Sequence, residues 1–197
     1  MAEEKPTKPR AFLLVILGTV GLGVAAYAFS LILGVPLIKL FRVNLTDFGI
    51  GVLAVIPLAG FLWWFSNTTL EHLASFRKSQ IKFFSEIGFE FTPVRIALMS
   101  LGAGISEELL FRGLLQTWIA GFAPLIVSIV LSNIVFGLLH MRTVLYAVIA
   151  GLVGVYLGFL YAITDNLLVP IVTHTLYDAI ALEYTRRAVM HYGKSES

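Results

Sequence analysis

The chain has 197 residues, of which 58% are hydrophobic and only 13% are charged, with a formal net charge of +2 and a mean hydropathy of +0.88. Soluble domains carry about 25% charged residues, so this composition excludes an ordinary soluble domain and indicates an integral membrane protein. Cysteine is absent, which excludes disulfides, thiolate nucleophiles and cysteine-ligated metals.

The N-terminal third of the chain predicts two membrane spans behind a short polar tail. Residues 1–10 are polar and are expected to lie in the cytoplasm. Residues 11–34 form an apolar run of 24 residues, which is too long for the apolar region of a secretory signal peptide. A second span is predicted over residues 48–65, so that residues 11–65 contain both N-terminal spans.

Residues 66–92 have a mixed composition that is typical of an amphipathic helix on a membrane surface. Apolar residues recur there at intervals of three or four, with basic residues between them, and this is the pattern of a helix lying in the interface. The apolar positions are Leu70, Leu73, Phe76, Ile81, Phe84 and Ile87. A solvated linker is the alternative.

The adjacent Trp63 and Trp64 fit an interfacial belt, and nothing in the sequence indicates nucleic-acid binding.

Residues 93–189 are predicted to form a membrane core of four further spans. Their predicted bounds are 93–120, 125–140, 144–163 and 167–189. In the fifth span of the chain, Ala150, Gly154 and Gly158 form a stripe of small residues that another helix can approach closely. Helix association through this stripe is therefore expected to be feasible. Residues 190–197 are expected to form a second cytoplasmic tail.

The distribution of basic residues predicts the orientation of these six spans. If both ends are cytoplasmic, eleven basic residues lie inside and only Lys39 and Arg42 lie outside, which is a strong positive-inside bias. The expected fold is an all-α, polytopic bundle of about six spans, with its N-terminus and C-terminus inside. We expect an integral, multi-pass protein of a prokaryotic plasma membrane that contacts membrane lipid.

Three charges interrupt the third span, at Glu107, Glu108 and Arg112. Each costs roughly 2.5–3.5 kcal/mol at the centre of a membrane helix, so a function is expected to justify them. At 100° per residue, Glu108 and Arg112 share a helix face and can pair, whereas Glu107 points about 140° away from Arg112. This predicts that Glu107 faces a neighbouring helix or a wet cavity. The alternative is an ion pair that serves packing alone.

Two other spans carry polar residues, and each of these spans contains a pair of residues at i,i+4 spacing. Phe136 and His140 share one face of the fourth span, and His174 and Asp178 share one face of the sixth. A lone membrane histidine is more often a packing hydrogen bond, but three spans that each contribute an acid or an imidazole indicate a common site. A carboxylate and an imidazole can activate water, and further donors can stabilise an oxyanion. Two histidines and one glutamate are also a catalytic zinc set, and this reasoning leaves both readings open.

These motifs, in this order on three membrane helices, resemble the signature of the CAAX protease and bacteriocin-processing family. This family is also called Abi-type and includes the Ras-converting CAAX endopeptidase. The resemblance covers roughly residues 93–189. It implies an intramembrane endopeptidase that acts on a lipidated C-terminus, a leader peptide, a bacteriocin or a sorting signal. The family's bundle of eight helices would be trimmed here to about six.

The resemblance also implies roles for the matching residues. Glu107 and His140 would activate water, and His174 with Asp178 would stabilise the oxyanion. Glu108, Arg112 and Phe136 would support the site. Family members have been described as metalloproteases and as metal-free glutamate proteases. We favour the glutamate type without a cofactor, with zinc on Glu107, His140 and His174 as the alternative. An ionised Asp178 cannot donate a hydrogen bond, whereas the eukaryotic relatives have Asn at this place.

Two other functions are compatible with the residues. A proton-coupled transporter or channel would use the same acids and histidines as a relay, although such transporters often contain internal repeats and none is visible. A catalytically silent scaffold would bind a partner through residues 66–92. One geometric difficulty also remains for the peptidase. By helical rise, Glu107 lies about 18 Å from Arg95, whereas His140 lies only about 3 Å from Arg142, so a tilted or broken fourth helix or a wet funnel is required.

Overall fold

The computed structural model describes residues 8–87 and 90–195, and this part of the chain contains helices and no strands. The predicted all-α class is therefore confirmed. The predicted N-terminal tail lies mostly outside the described residues, as do the last two residues of the C-terminal tail. The helices are α1 (Lys8–Leu33), α2 (Leu45–Leu53), α3 (Val55–Asn67), α4 (Glu71–Ile87), α5 (Pro93–Glu108), α6 (Thr117–Ala120), α7 (Leu125–Leu139), α8 (Val144–Thr164) and α9 (Leu168–Ser195).

The surface of the bundle is apolar and much of its interior is polar. Leu14 of α1 is 69% exposed and Ile163 of α8 is 76% exposed, whereas Arg112 and Glu108 are fully buried. This distribution suits lipid surroundings, in which polar groups must find partners inside the protein. Three described helical stretches are long and apolar enough to cross a membrane, namely Ala11–Leu33, Leu45–Asn67 and Val144–Thr164. The apolar helix α7 has only 15 residues.

The predicted second span is interrupted at Ala54, between α2 and α3. Pro57 in the first turn of α3 has no backbone N–H to donate to the preceding turn, and this loss breaks the helical ladder. The hydroxyl of Tyr156 in α8 donates to the carbonyl oxygen of Ala54 over 2.8 Å. The break thus exposes the carbonyl oxygen of Ala54 to α8, which supplies its hydrogen-bond donor.

The third predicted span is continuous but is not a regular α-helix throughout. Thr92 caps α5 by accepting a hydrogen bond from the backbone N–H of Arg95 over 3.2 Å, and Pro93 occupies the start of the helix. After Glu108 the chain forms a π-helical segment, Leu109–Gln116, before α6. Such segments are rare and often occur at functional sites. Here the wider turns begin directly after the two glutamates.

Close helix packing brings the motif helices together. A Cβ atom at Gly104 of α5 would overlap the side chain and backbone of Thr175 in α9, so the absence of a side chain lets these helices touch. Gly154 in α8 faces the side chain of Asn133 in α7, and Gly158 faces Gln116. The small-residue stripe of α8 therefore contacts helices of the same chain.

The amphipathic helix α4 is anchored on both sides by aromatic contacts. The ring of Phe76 lies 6.0 Å from that of Phe65 in α3 and 6.5 Å from that of Tyr146 in α8. The guanidinium of Arg142 lies 3.9 Å from the centre of the Phe83 ring. The apolar face of α4 thus packs on the protein.

Candidate active site

The buried ion pair between Glu108 and Arg112 is the rigid centre of the site. Arg112 Nη1 donates to Glu108 Oε1 over 2.9 Å, and neither side chain has any exposed surface. Arg112 Nη2 donates to Asn133 Oδ1 over 3.0 Å and to the carbonyl oxygen of Gly154 over 2.6 Å. The ring of Phe136 lies 5.0 Å from the guanidinium carbon. The pairing predicted from the spacing is confirmed, and three further contacts fix the guanidinium.

His174 is oriented by the same carboxylate. Its Nδ1 lies 2.7 Å from Glu108 Oε1. Because this oxygen also accepts from Arg112, it acts as an acceptor and Nδ1 carries the proton. The opposite nitrogen, Nε2, lies 3.6 Å from Asp178 Oδ2 and 3.9 Å from Glu107 Oε2. Glu108 therefore directs Nε2 of His174 toward the other acids.

His140 is held by the residue one turn earlier in its own helix. Its Nδ1 lies 2.9 Å from the carbonyl oxygen of Phe136, and the two rings lie 4.3 Å apart. A carbonyl can only accept, so Nδ1 of His140 also carries a proton. Nε2 lies 3.7 Å from Glu107 Oε2. The spacing of Phe136 and His140 thus fixes both the tautomer and the direction of the imidazole.

Glu107 is the point on which both imidazoles converge. Its Oε2 atom is buried and has no hydrogen-bond partner among the described residues, while 17% of the side chain remains exposed. In a neutral His140 ring with a protonated Nδ1 atom, Nε2 is an acceptor, as is the carboxylate of Glu107. Such a set is complementary to a donor molecule, and water is the simplest one.

The end of the short helix α7 brings His140 within 3.7 Å of Glu107. With 15 residues, α7 is about 22 Å long and does not reach across a hydrocarbon core of about 30 Å. His140 directly follows its last residue. The end of α7 therefore lies beside Glu107 of α5. The turn that follows α7 contains Arg142, whose guanidinium packs on the ring of Phe83 in α4.

The predicted reactive groups share one cavity of about 400 Å³. Its walls are mainly aromatic and aliphatic side chains from α1, α3, α4, α5, α7, α8 and α9, and Glu107, His140, His174 and Asp178 all line it. Ser132, on the same helix as His140, instead donates to the carbonyl oxygen of Ile129 over 3.1 Å. The four predicted side chains are thus brought together, while their catalytic roles remain predictions.

The sequence reasoning missed two residues of this region. Asn133 holds Arg112, and Tyr146 lines the cavity with its ring 6.4 Å from that of His140. A signal for Asn133 was available, because it is a polar residue in an apolar helix and lies three residues before Phe136, on the same face. Tyr146 gave no comparable signal, since tyrosine near a span end is common.

The zinc alternative would use Glu107, His140 and His174, which all line the cavity. Within residues 8–87 and 90–195, no group of three His, Asp or Glu side chains has the geometry of a metal site. In both imidazoles Nδ1 is hydrogen-bonded within the protein and Nε2 is directed at Glu107. This arrangement suits an imidazole that acts as a base as well as one that binds a metal ion.

Comparison with known proteins finds a family model that covers the three motifs. The model, described as type II CAAX prenyl endopeptidase Rce1-like, matches residues 89–180, in agreement with the resemblance predicted from the motifs, and supports a membrane peptidase at the family level. The uncharacterized protein YpbD of Bacillus subtilis (strain 168) is 28% identical over 150 residues, covering 71% of each chain. No solved structure matches this chain significantly.

Proposed function

Because residues 89–180 match the Rce1-like family, we propose that this chain is an intramembrane endopeptidase that hydrolyses a peptide bond in a membrane-associated substrate. The substrate is a prenylated CAAX-like, leader or sorting peptide. In this proposal the protein is a multi-pass bundle of a prokaryotic plasma membrane, with both ends in the cytoplasm. The observation that carries the proposal is the convergence of both imidazole Nε2 atoms on Glu107, at 3.7 and 3.9 Å.

Water is the proposed nucleophile. It lies between Glu107 Oε2 and Nε2 of His140, and Glu107 takes one of its protons as the water oxygen attacks the carbonyl carbon. The carbonyl oxygen becomes an oxyanion, and the tetrahedral intermediate collapses with cleavage of the C–N bond. Glu107 returns the proton to the leaving amine. The first products are a carboxylic acid, which keeps the second proton of the water, and an amine; transfer of that proton to the amine gives a carboxylate and an ammonium group, and Glu107 is again ionised.

His174 is the proposed donor to the oxyanion. Its ring is surrounded by Glu107, Glu108 and Asp178, each within 4 Å of a ring nitrogen, and these carboxylates balance the charge of a ring protonated at both nitrogens. In that form Nε2–H donates to the oxyanion. An ionised Asp178 cannot donate and instead orients this N–H. Glu108 and Arg112 hold the ring in place.

A cleavage assay tests this function. Purified protein in detergent is incubated with a peptide library, and the products are identified by mass spectrometry. Defined products from the wild-type protein support the proposal. The same preparation in liposomes, assayed for proton flux, tests the transporter alternative. Proton flux without cleavage of any peptide would refute the proposed peptidase.

A further inference from the structure

The amphipathic helix α4 forms one wall of the active-site cavity, and this wall contains polar groups. Along one face, α4 contributes Phe76, Arg77, Gln80, Ile81 and Phe84 to the lining. Arg77 and Gln80 are three residues apart and are therefore neighbours on the helix surface. The face predicted to lie on the membrane thus faces the substrate space.

Arg77 is the one lysine or arginine among the described residues that line this cavity. Its Nη1 donates to the carbonyl oxygens of Phe65 and Thr68 at the end of α3, over 2.8 and 3.3 Å. Within the described part of the chain it forms no ion pair with an acid. A fixed cation in a mainly apolar wall is most stable when an anion joins it.

Gln80 supplies a second donor on the same wall. Its Nε2 atom is buried and has no hydrogen-bond partner among the described residues. A buried amide donor without a partner costs free energy that a bound acceptor would recover. A guanidinium and an amide N–H side by side match the two oxygens of a carboxylate.

The length of the cavity indicates where such a carboxylate would lie. The lining follows α9 from Asp178 to Thr185, a separation of seven residues or about 10 Å along the helix. About three residues of extended chain cover this distance. A substrate with its cleaved bond beside Glu107 therefore has room in this cavity for a few further residues, and Arg77 and Gln80 of α4 belong to the same lining.

We propose that Arg77 and Gln80 form a subsite that binds a carboxylate of the substrate, a few residues after the cleaved bond. This subsite rests on the proposed peptidase function. The carboxylate is supplied either by the end of the substrate chain or by an acidic side chain, because both present the same two oxygens. The subsite determines which peptides are cleaved, whereas Glu107 and His140 carry out the cleavage.

The test compares three forms of one peptide that wild-type protein cleaves in the library assay. They are the C-terminal acid, the C-terminal amide, and the amide with Asp at the last position. For each protein variant, kcat/KM for the acid is divided by kcat/KM for the amide, so the fraction of folded enzyme cancels. We expect a wild-type ratio of about 10 to 100 and a ratio within about threefold of one for Arg77→Gln.

Two further variants support the comparison. Lys78→Gln removes a neighbouring exposed charge outside the cavity and is expected to keep the wild-type ratio. Gln80→Leu removes the unpartnered donor without breaking a described hydrogen bond, and it is expected to lower the ratio even if Arg77→Gln fails to fold. Cleavage of the Asp-containing amide at the rate of the acid would assign the subsite to acidic side chains, and its failure would assign it to the chain end.

The outcomes separate the subsite from the peptidase function. If wild-type protein cleaves no peptide, both proposals are overturned. If it cleaves peptides but the acid-to-amide ratio of kcat/KM is near one, only the subsite is overturned. The same holds if this ratio is unchanged from wild type in both Gln80→Leu and folded Arg77→Gln.

Discussion

Nδ1 of His174 lies 2.7 Å from Oε1 of Glu108, and this contact joins the first sequence motif to the third. The same oxygen accepts a hydrogen bond from Arg112. Glu108 is thus committed to orienting an imidazole, while the adjacent Glu107 faces the cavity. The two consecutive acids consequently have different surroundings: Oε1 of Glu108 contacts both Arg112 and His174, whereas Oε2 of Glu107 has no hydrogen-bond partner among the described residues and is open to a ligand.

The first prediction concerns the buried pair Glu108 and Arg112. Glu108→Gln leaves the guanidinium buried without its counter-ion, and breaking such a pair costs about 3–5 kcal/mol. The double variant Glu108→Gln, Arg112→Met removes both charges, so we expect it to be less destabilised than the sum of the two single changes. Thermal unfolding in detergent measures all three variants. Additive losses would show that the two charges do not stabilise each other.

The second prediction concerns Asn133, which acts on the site through Arg112. Asn133→Ala removes one acceptor from the guanidinium and loosens the chain of contacts to His174. We expect kcat to fall about 5- to 30-fold, as for the loss of one buried hydrogen bond of about 1–2 kcal/mol, while KM changes little. Ser128→Ala is the matched control, because this buried hydroxyl of the same helix donates to the carbonyl oxygen of Leu125 within its own helix. Equal effects of the two substitutions on kcat would contradict a positioning role for Asn133.

The third prediction concerns the glycine stripe of α8. A Cβ atom at Gly154 would overlap the side chain of Asn133, so Gly154→Ala is expected to destabilise the protein by about 1–3 kcal/mol and to lower kcat. Gly21→Ala in α1 is the control, since nothing lies within 4 Å of a Cβ atom there. Unfolding temperatures of the two variants would be compared. A Gly154→Ala protein as stable as Gly21→Ala would mean that α8 can move away from α7 at no cost.

The fold class could be predicted from the sequence because long apolar runs form membrane helices. The ion pair of Glu108 and Arg112 also followed from spacing, since i,i+4 residues share a face. The break at Ala54 was less visible. Pro57 was present in the predicted span, but a proline inside an apolar run is also compatible with a kinked continuous helix.

The position of α4 could not be predicted, for a physical reason. An amphipathic pattern shows that one face is apolar, but it does not distinguish a face on lipid from a face on protein. Contacts such as those of Phe76 with Phe65 and Tyr146 are long-range, and they decide which neighbour covers the face. The role of Asn133 also depends on a long-range contact, with Arg112, although its place as a polar residue in an apolar helix is visible in the sequence.

The fourth prediction concerns metal. The glutamate mechanism uses Glu107 and His140 without a metal, so incubation with a chelator followed by gel filtration is expected to leave the cleavage rate unchanged, within about twofold. Elemental analysis of the same sample checks that zinc is below one atom per ten chains. Loss of activity on chelation that returns on addition of zinc would instead assign Glu107, His140 and His174 to a metal site.

The most direct measurement is the cleavage rate of Glu107→Gln and His140→Ala proteins under single-turnover conditions. Glutamine keeps the size of Glu107 but cannot take a proton from water, and general-base catalysis contributes about 10²–10⁴ in rate. We expect each variant to retain the wild-type unfolding temperature within a few degrees and to lose at least 100-fold in cleavage rate. Folded Glu107→Gln and His140→Ala proteins that cleave within threefold of the wild-type rate would contradict the assignment of these residues to catalysis.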